Sequence, residues 1–139
     1  MPSYSQTSIK RLNSCHPDLM TLFLAVIEDD DCTIICGHRG QKAQDAAFTG
    51  GNSRVQWPNS EHNTKPSMAV DAGPYHSESG LDWQDIKAFY LFAGKVIAKA
   101  RELKREGLMT HDIRYGGDWD SDGMTLDQTF NDAVHFELV

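Results

Sequence analysis

Two histidines and two aspartates in three separate segments are the residues of this chain best suited to chemistry. His62 lies in a polar loop, Asp71 follows a short apolar run, and Asp132 precedes His135 by three positions. Imidazole nitrogens and a carboxylate oxygen suit Zn²⁺, and three protein ligands leave a fourth position for water. A carboxylate such as Asp132 beside that water acts as a general base. The residue types therefore predict an open zinc site of the catalytic kind.

The spacing alone leaves other interpretations open. A histidine in a loop is commonly a solvated or capping residue, so neither His62 nor His135 is fixed as a ligand by its position. Asp71 is more informative, because a carboxylate buried at the end of an apolar strand needs a partner, which a metal ion supplies. A Cys-His nucleophile is a weaker alternative. The odd number of cysteines favours free thiols, and no second pair completes a zinc site around them: Cys15, Cys32 and Cys36.

A second group of carboxylates stands at alternate positions near the C-terminus. Asp118, Asp120, Asp122 and Gly123 match positions 1, 3, 5 and 6 of a D-x-D-x-D-G calcium loop. Position 12 is Thr129, where a complete loop has a bidentate glutamate. The loop is either a solvated acidic turn or a weak calcium site, since three such carboxylates repel one another unless a cation lies between them.

Hydropathy patterning predicts the elements that must position these residues. Apolar residues at helical spacing predict helices, and β-branched or apolar runs predict strands. The longest helix begins with Asp82 as the predicted N-cap and ends before Gly107. The predicted helices cover 8–14, the segment after Pro17, 41–48 and 82–106; the predicted strands cover 32–36, 68–72, 113–115 and 134–139; a loop covers 50–64.

The order of these elements predicts the fold class. The strands do not alternate with helices as repeated βαβ units, so we expect an α+β fold with a small antiparallel sheet and helices packed on one side. A chain of 139 residues is short for two independent cores. We therefore expect one domain over residues 1–139.

Composition excludes several classes of function. The formal net charge is −7 and 40% of the residues are hydrophobic, which is typical of a globular protein and argues against nucleic-acid or anionic membrane partners. The longest apolar run covers 22–27, too short to span a bilayer, and the polar N-terminus does not resemble a secretory signal peptide. We expect synthesis in a cytosol and no insertion into a membrane.

Several segments together resemble one peptidase family. SEHNTKPSMAVDAGPY contains Ser-x-His followed by Ala-x-Asp, RYGGDWDSDG precedes DAVHFEL, and ICGHRGQKAQDAAFTGG lies upstream of both. In this order they resemble the zinc D,D-carboxypeptidase and VanY-type peptidases, and most closely the phage endolysins that cut the L-alanyl-D-glutamate bond of peptidoglycan. HPDLMTLFLAVI resembles the leading helices, so the resemblance covers residues 8–139.

The resemblance implies roles for individual residues. It implies that His62, Asp71 and His135 bind zinc, and that Asp132 is the catalytic base. It further implies that Arg39 holds the substrate and stabilises the developing oxyanion, while the sequence leaves open whether the neighbouring His38 lines the cleft. Glu137 resembles a residue that orients a ligand histidine from outside the metal shell.

Two departures from the family pattern are visible. His62 and Asp71 are nine positions apart, where many relatives have seven, so the loop with Lys65 and Pro66 is longer. The base is Asp132, where the dipeptidase relatives have a glutamate. Its shorter side chain must lie nearer the metal or be brought there by a backbone shift. Neither departure removes a ligand.

The resemblance implies a zinc peptidase of hedgehog/D,D-peptidase-like fold that hydrolyses peptidoglycan stem peptides and has no separate cell-wall-binding domain. The alternatives are a D-Ala-D-Ala carboxypeptidase or dipeptidase on the same scaffold, and a non-catalytic hedgehog-like metal-binding module. Some relatives carry calcium near the zinc, which favours Ca²⁺ at Asp118, Asp120 and Asp122. We expect a monomeric endolysin made in the host cytoplasm, which acts on periplasmic peptidoglycan after a separate membrane protein releases it.

Overall fold

Short strands and helices alternate irregularly along the chain, as the predicted α+β class requires. The structure is a computed structural model that describes residues 2–139. The helices are α1 (Gln6–Leu12), α2 (Pro17–Asp29), α3 (Gln41–Thr49) and α4 (Ile86–Arg105), with a 3₁₀ turn at Glu61–Asn63. The strands are β1 (Cys32–Cys36), β2 (Ala69–Pro74), β3 (Ile113–Tyr115) and β4 (His135–Leu138). The predicted fold class is confirmed.

The four strands form one antiparallel sheet in the order β1-β2-β4-β3. The register places Asp71 on β2 opposite His135 on β4, and it also pairs Asp71 with Cys36 on β1. Residues that lie far apart along the chain therefore become neighbours in the centre of the sheet.

The two central strands, β2 and β4, send alternate side chains to opposite faces of the sheet. One face carries apolar side chains that join the hydrophobic core: Val70, Ala72, Phe136 and Leu138. The other face carries buried polar side chains: Asp71, His135 and Glu137. The core and the polar cluster are built on the same two strands.

Helices α2 and α4 cover the apolar face. The ring of Phe136 packs edge-on against Phe23 of α2 and Phe92 of α4, with centroids 5.7 and 6.4 Å away. Helix α1 lies instead along the edge strand β1, where the Ser8 hydroxyl accepts a hydrogen bond from the backbone N–H of Ile34 at 3.1 Å. Helix α3 lies near the polar face, where its Gln44 accepts a hydrogen bond from Arg39. The helices that pack together on one side of the sheet, as predicted, are α2 and α4.

The long helix begins later than the sequence predicts. Its N-cap is Asp85, whose side chain accepts a hydrogen bond from the backbone N–H of Ala88. The predicted cap, Asp82, accepts instead from the N–H of Gln84 at 3.0 Å and closes a turn before the helix. Both aspartates accept a hydrogen bond from a backbone N–H group, but only Asp85 accepts one from the first turn of α4.

The loop predicted for 50–64 contains one ordered turn at its end. Ser60 and Asn63 form a capping box around the 3₁₀ turn, with the Asn63 side chain accepting from the Ser60 backbone N–H at 2.9 Å. This turn carries His62 and fixes the direction of its side chain. None of the helices described in residues 2–139 is both long and apolar enough to cross a bilayer.

Candidate metal centre and active-site cleft

Three predicted ligands converge on one point at the polar face of the sheet. His62 Nε2 lies 3.1 Å from Asp71 Oδ1 and 3.2 Å from His135 Nδ1, and the last two atoms are 3.2 Å apart. All three residues are buried. They come from the 3₁₀ turn, β2 and β4, and we call them the cleft cluster.

Outer hydrogen bonds fix the tautomers of both histidines. His62 Nδ1 lies 2.8 Å from the carbonyl oxygen of Gly37, which can only accept, so this nitrogen carries the proton. His135 Nε2 lies 2.8 Å from Glu137 Oε1 and donates to it in the same way. In the neutral rings the inward nitrogens, His62 Nε2 and His135 Nδ1, therefore present lone pairs to each other and to the Asp71 carboxylate.

A metal ion fits this arrangement. Ligand bonds of about 2.0–2.1 Å in tetrahedral geometry separate the donor atoms by about 3.3 Å, close to the triangle observed. Burial disfavours charged imidazoles here, yet the Asp71 carboxylate raises the pKa of His62 to about 10 and that of His135 to about 9. The cluster therefore favours positive charge next to Asp71, which protons or a divalent cation in their place supply.

Glu137 is itself held in place from outside. Its Oε2 accepts a hydrogen bond from Arg114 Nη2 at 2.6 Å while its Oε1 faces His135. Burial alone would raise the pKa of Glu137, but the hydrogen bonds from His135 and Arg114 lower it below its usual value. An ionised carboxylate thus orients the His135 ring.

Two glycines allow the backbone to approach closely around the cluster. A Cβ on Gly37 would collide with the backbone oxygen of Arg11, which would displace the carbonyl that orients His62. A Cβ on Gly116 would collide with the backbone oxygen of Asp132. That contact matters because Asp132 N–H donates to the Gly116 carbonyl at 2.8 Å and so anchors the turn before His135.

Asp132 lies beside the cleft cluster without joining it. Its Oδ2 is 3.9 Å from His135 Nδ1, and a quarter of the side chain is exposed. Burial raises the pKa of Asp132 to about 6, and the nearby Asp71 charge acts in the same direction. A carboxylate of raised pKa next to a metal centre can take up and release a proton.

Arg39 reaches the other side of the cluster. Its Nη2 lies 3.4 Å from Asp71 Oδ2, and its Nη1 donates to Gln44 Oε1 at 3.0 Å. Gln44 is fully buried on α3 and donates in turn to the Val55 carbonyl at 2.7 Å. Sequence reasoning missed Gln44. The only signal for it was its place in the predicted helix five residues after Arg39.

The cluster opens into a cleft of about 290 Å³. Its lining comprises Arg39, residues 52–55 and 59–62, Arg114, Trp119, Phe130, Asp132, His135 and Glu137. Trp119 stacks on Phe130 and lies 5.4 Å from His135, centroid to centroid. These aromatic residues and two of the arginines were not predicted as site residues. His38 is not among the lining residues.

The acidic residues at Asp118, Asp120 and Asp122 also bring their carboxylates together, within 4.8 Å of one another. Their oxygens already accept hydrogen bonds from the loop itself: Asp118 from Gly123 N–H and Asp122 from Met124 N–H, both at 2.8 Å. Asp120 and Asp122 are exposed. The loop is more open to solvent than the cleft cluster, although Asp118 is half-buried and its Oδ1 has no hydrogen-bond partner within residues 2–139.

A further group, the helix cluster, lies at the start of α2 and consists of His16, Asp18 and His111. Asp18 Oδ2 accepts from four donors, which are the backbone N–H and hydroxyl of Thr110 and the backbone N–H and Nδ1 of His111. His16 Nδ1 accepts from the Asp18 backbone N–H at 3.0 Å and caps the helix. Hydrogen-bond donors already satisfy this aspartate.

The three cysteines are free thiols. Burial raises the pKa of Cys15 and of Cys32 to about 12. Cys36 lies at the edge of the site, with its sulfur 3.8 Å from Arg39 Nη2. None of them joins a metal cluster among the described residues.

Comparison with known proteins gives a consistent picture. The profile of the family described as phage L-alanyl-D-glutamate peptidase matches residues 2–139. The L-Ala D-Glu endopeptidase ChiX of Serratia marcescens has a similar structure, with a TM-score of 0.73 and 21% sequence identity over 99% of this chain and 90% of that one. No curated protein sequence matches the chain. At this identity the structural similarity shows the fold.

Proposed function

Since the chain belongs to the phage L-alanyl-D-glutamate peptidase family, and is therefore a peptidoglycan peptidase, we propose that it works with one zinc ion held by His62, Asp71 and His135. The observation that carries this proposal is that three buried atoms, His62 Nε2, Asp71 Oδ1 and His135 Nδ1, lie 3.1–3.2 Å from one another. Outer hydrogen bonds hold both imidazole rings in this orientation. Two nitrogens and one carboxylate oxygen, with a side open to the cleft, are the donor set of a catalytic zinc site.

When bound, the ion would supply a water molecule of lowered pKa and polarise the scissile carbonyl. Asp132 would accept a proton from the attacking water and pass it to the leaving amine. Its place supports this role, because the carboxylate is 3.9 Å from a proposed ligand atom and still partly open to the cleft. A carboxylate whose pKa lies near the operating pH can both accept and donate a proton.

Arg39 is proposed to bind the substrate and stabilise the negative charge that develops on its carbonyl oxygen. A permanently charged guanidinium beside the metal centre suits that task. The hydrogen bond to buried Gln44 holds the side chain in the cleft lining. Its contact with Asp71 Oδ2 also partly balances the charge of the ligand carboxylate.

The alternative functions make different use of the same centre. A D-Ala-D-Ala carboxypeptidase or dipeptidase would keep every residue above, and the family membership favours the alanyl-glutamate bond over it. A non-catalytic metal-binding module would need neither Asp132 nor Arg39. Both side chains line the cleft, which supports catalysis.

Digestion of purified peptidoglycan, followed by mass spectrometry of the fragments, tests the proposal. We expect new N-terminal D-glutamate ends and no release of terminal D-alanine. Protein stripped of zinc by a chelator should be inactive and should recover activity when zinc is returned. Release of D-alanine alone would select the carboxypeptidase, and an unchanged fragment pattern would select the non-catalytic module.

We propose the biological setting on the same basis. The enzyme is made in the host cytoplasm as a monomer and acts on periplasmic peptidoglycan after release, which lyses the cell. One sheet and one hydrophobic core contain residues from both ends of the described chain, which supports a single catalytic domain.

We also propose that the acidic loop at Asp118, Asp120 and Asp122 binds Ca²⁺ weakly. Three carboxylates give charge, while Thr129 replaces the bidentate glutamate, so a dissociation constant of about 10⁻⁴–10⁻³ M is expected. Calorimetric titration of the zinc-loaded protein, repeated with Asp120→Ala, measures it. Heat-silent titration of both proteins would show a solvated turn instead.

A further inference from the structure

Three arginines line the cleft: Arg39, Arg54 and Arg114. Arg39 is paired with Asp71, and Arg114 is paired with Glu137 at 2.6 Å. Arg54 has no carboxylate within salt-bridge distance among residues 2–139. It is thus the cleft arginine whose charge no acidic side chain of the described protein meets.

Arg54 is nevertheless held in position. Its guanidinium carbon lies 4.7 Å from the centroid of the Phe130 ring, and its Nη2 donates to the Thr129 carbonyl at 3.2 Å. The aromatic face holds the guanidinium plane and one N–H is used, which leaves most of the donor edge of the fork free. The contact also joins the loop at 52–55 to the segment before Asp132.

The stack continues from this residue to the proposed metal centre. Phe130 is stacked on Trp119 with planes 15° apart, and Trp119 in turn lies beside His135. Arg54 thus stands at one end of a row of rings whose other end is a proposed zinc ligand. A group bound to its free edge would occupy the same cleft as the reacting bond.

The chemistry of the substrate supplies a partner for this edge. Glutamate has two carboxyl groups, and only one of them can extend the peptide, so the other stays free next to the alanyl-glutamate bond unless it is amidated. The alanine side offers only a methyl group. Planar carboxylates are the ligands that a guanidinium fork binds in bidentate fashion.

We propose that Arg54 is a specificity-determining residue that binds the free carboxylate of the substrate glutamate, with Phe130 as its platform. This proposal rests on the proposed function, because it takes the alanyl-glutamate bond as the site of cleavage. The binding makes the enzyme prefer peptidoglycan whose glutamate is not amidated.

Two matched muropeptides test the proposal, one with the free glutamate carboxylate and one with the carboxamide in its place. We expect the wild type to hydrolyse the carboxylate form with a kcat/KM about tenfold to a hundredfold higher, as for one charge-assisted bidentate contact. In Arg54→Gln this ratio should fall close to one, mainly through a higher KM for the carboxylate form. Phe130→Leu should reduce the ratio by a smaller factor.

Arg105→Gln is the matched control, because it removes the same charge from the exposed end of α4 and should keep the wild-type ratio. Arg54→Lys separates charge from geometry and should retain only part of the preference. If the wild type shows no preference, or if Arg54→Gln slows both substrates equally, the proposal is wrong.

Binding measurements separate this proposal from the proposed function. Calorimetry on Asp132→Asn protein, in which cleavage is strongly slowed, gives the two dissociation constants. Suppose that the ratio of the two dissociation constants depends on Arg54 but the wild type cuts a different bond. This result would support the carboxylate site and reject the alanyl-glutamate assignment. Equal dissociation constants with normal cleavage at that bond would reject the carboxylate site alone.

Discussion

The cleft cluster and the helix cluster have the same composition, two histidines and one aspartate, and differ in where their protons lie. In the helix cluster, donors from Thr110 and His111 surround the Asp18 oxygen. In the cleft cluster, the Gly37 carbonyl and the Glu137 carboxylate accept hydrogen bonds from the outer imidazole nitrogens, so the inner nitrogens face Asp71. The comparison indicates that outer hydrogen bonds, and not residue types alone, decide which of the two clusters suits a metal ion.

The same histidine-to-alanine change in each cluster should give the largest contrast. His135→Ala removes a proposed ligand, so zinc should fall well below one per chain and hydrolysis should be lost. His111→Ala should keep one zinc per chain and activity within a few-fold of the wild type. Elemental analysis and a peptidoglycan assay measure both. Full zinc retention by His135→Ala would remove the distinction between the clusters.

The next largest effect is expected at Asp132, which lies beside the cleft cluster and is the proposed base. Asp132→Asn keeps the volume and removes the base, so kcat should fall by about 10²–10⁴ while zinc content and stability stay unchanged. Asp112→Asn is the control, since that carboxylate is exposed and pairs with Lys104. Activity of Asp132→Asn within a few-fold of the wild type would contradict the role of base.

Glu137→Gln tests the outer hydrogen bonds directly. The amide cannot accept from both His135 and Arg114 through two oxygens, so the His135 tautomer is less well fixed. Zinc affinity, measured by competition with a chelator, should fall about 10–100-fold. Glu61→Gln changes an exposed glutamate of the same cleft and should leave the affinity unchanged. Equal affinities for the two variants would mean that the outer bond contributes nothing.

The smallest effect concerns stability in the helix cluster. Burial opposes ionisation of Asp18, but hydrogen bonds from His111 and Thr110 lower its pKa to about 2. Ionised Asp18 therefore stabilises the fold above about pH 4, and this contribution disappears as the pH falls towards 2. Asp18→Asn should cost about 1–3 kcal/mol of unfolding free energy at pH 7.

Denaturant unfolding of the metal-free proteins at pH 7 and pH 3 measures that cost without interference from the zinc site. The difference between wild type and Asp18→Asn should narrow at the lower pH, and Asp18→Asn should bind zinc normally at pH 7. A difference that stays constant with pH would show that the Asp18 charge does not contribute.

Much of the fold could be predicted from residue patterns. The β-branched run at 32–36 and the short apolar segment at 113–115 are strands with the predicted bounds. The start of α4 was predicted three residues too early, because Asp82 and Asp85 are both suitable N-cap residues and the sequence pattern does not distinguish them. The 3₁₀ turn at 61–63 was missed, since Ser60 and Asn63 form its capping box within a polar loop.

The candidate site was predicted in composition and not in geometry. Sequence motifs grouped His62, Asp71 and His135, and the register of β2 and β4 brings the last two side by side. Which imidazole nitrogen faces inward depends on the positions of Gly37 and Glu137, which no spacing encodes. The position of Arg54 over Phe130 depends on two loops that meet only in the folded chain.

The alternation of side chains along β2 and β4 also limits how this chain can change in length during evolution. One residue inserted before Asp71 within β2 would turn that carboxylate into the core and bring apolar neighbours to the cleft, so the insertion would damage stability and zinc binding together. We expect insertions and deletions to be tolerated instead at exposed positions of the loops beside the cleft, such as 50–52 and 121–127. New substrate preferences can therefore arise by loop divergence while the ligand register stays fixed.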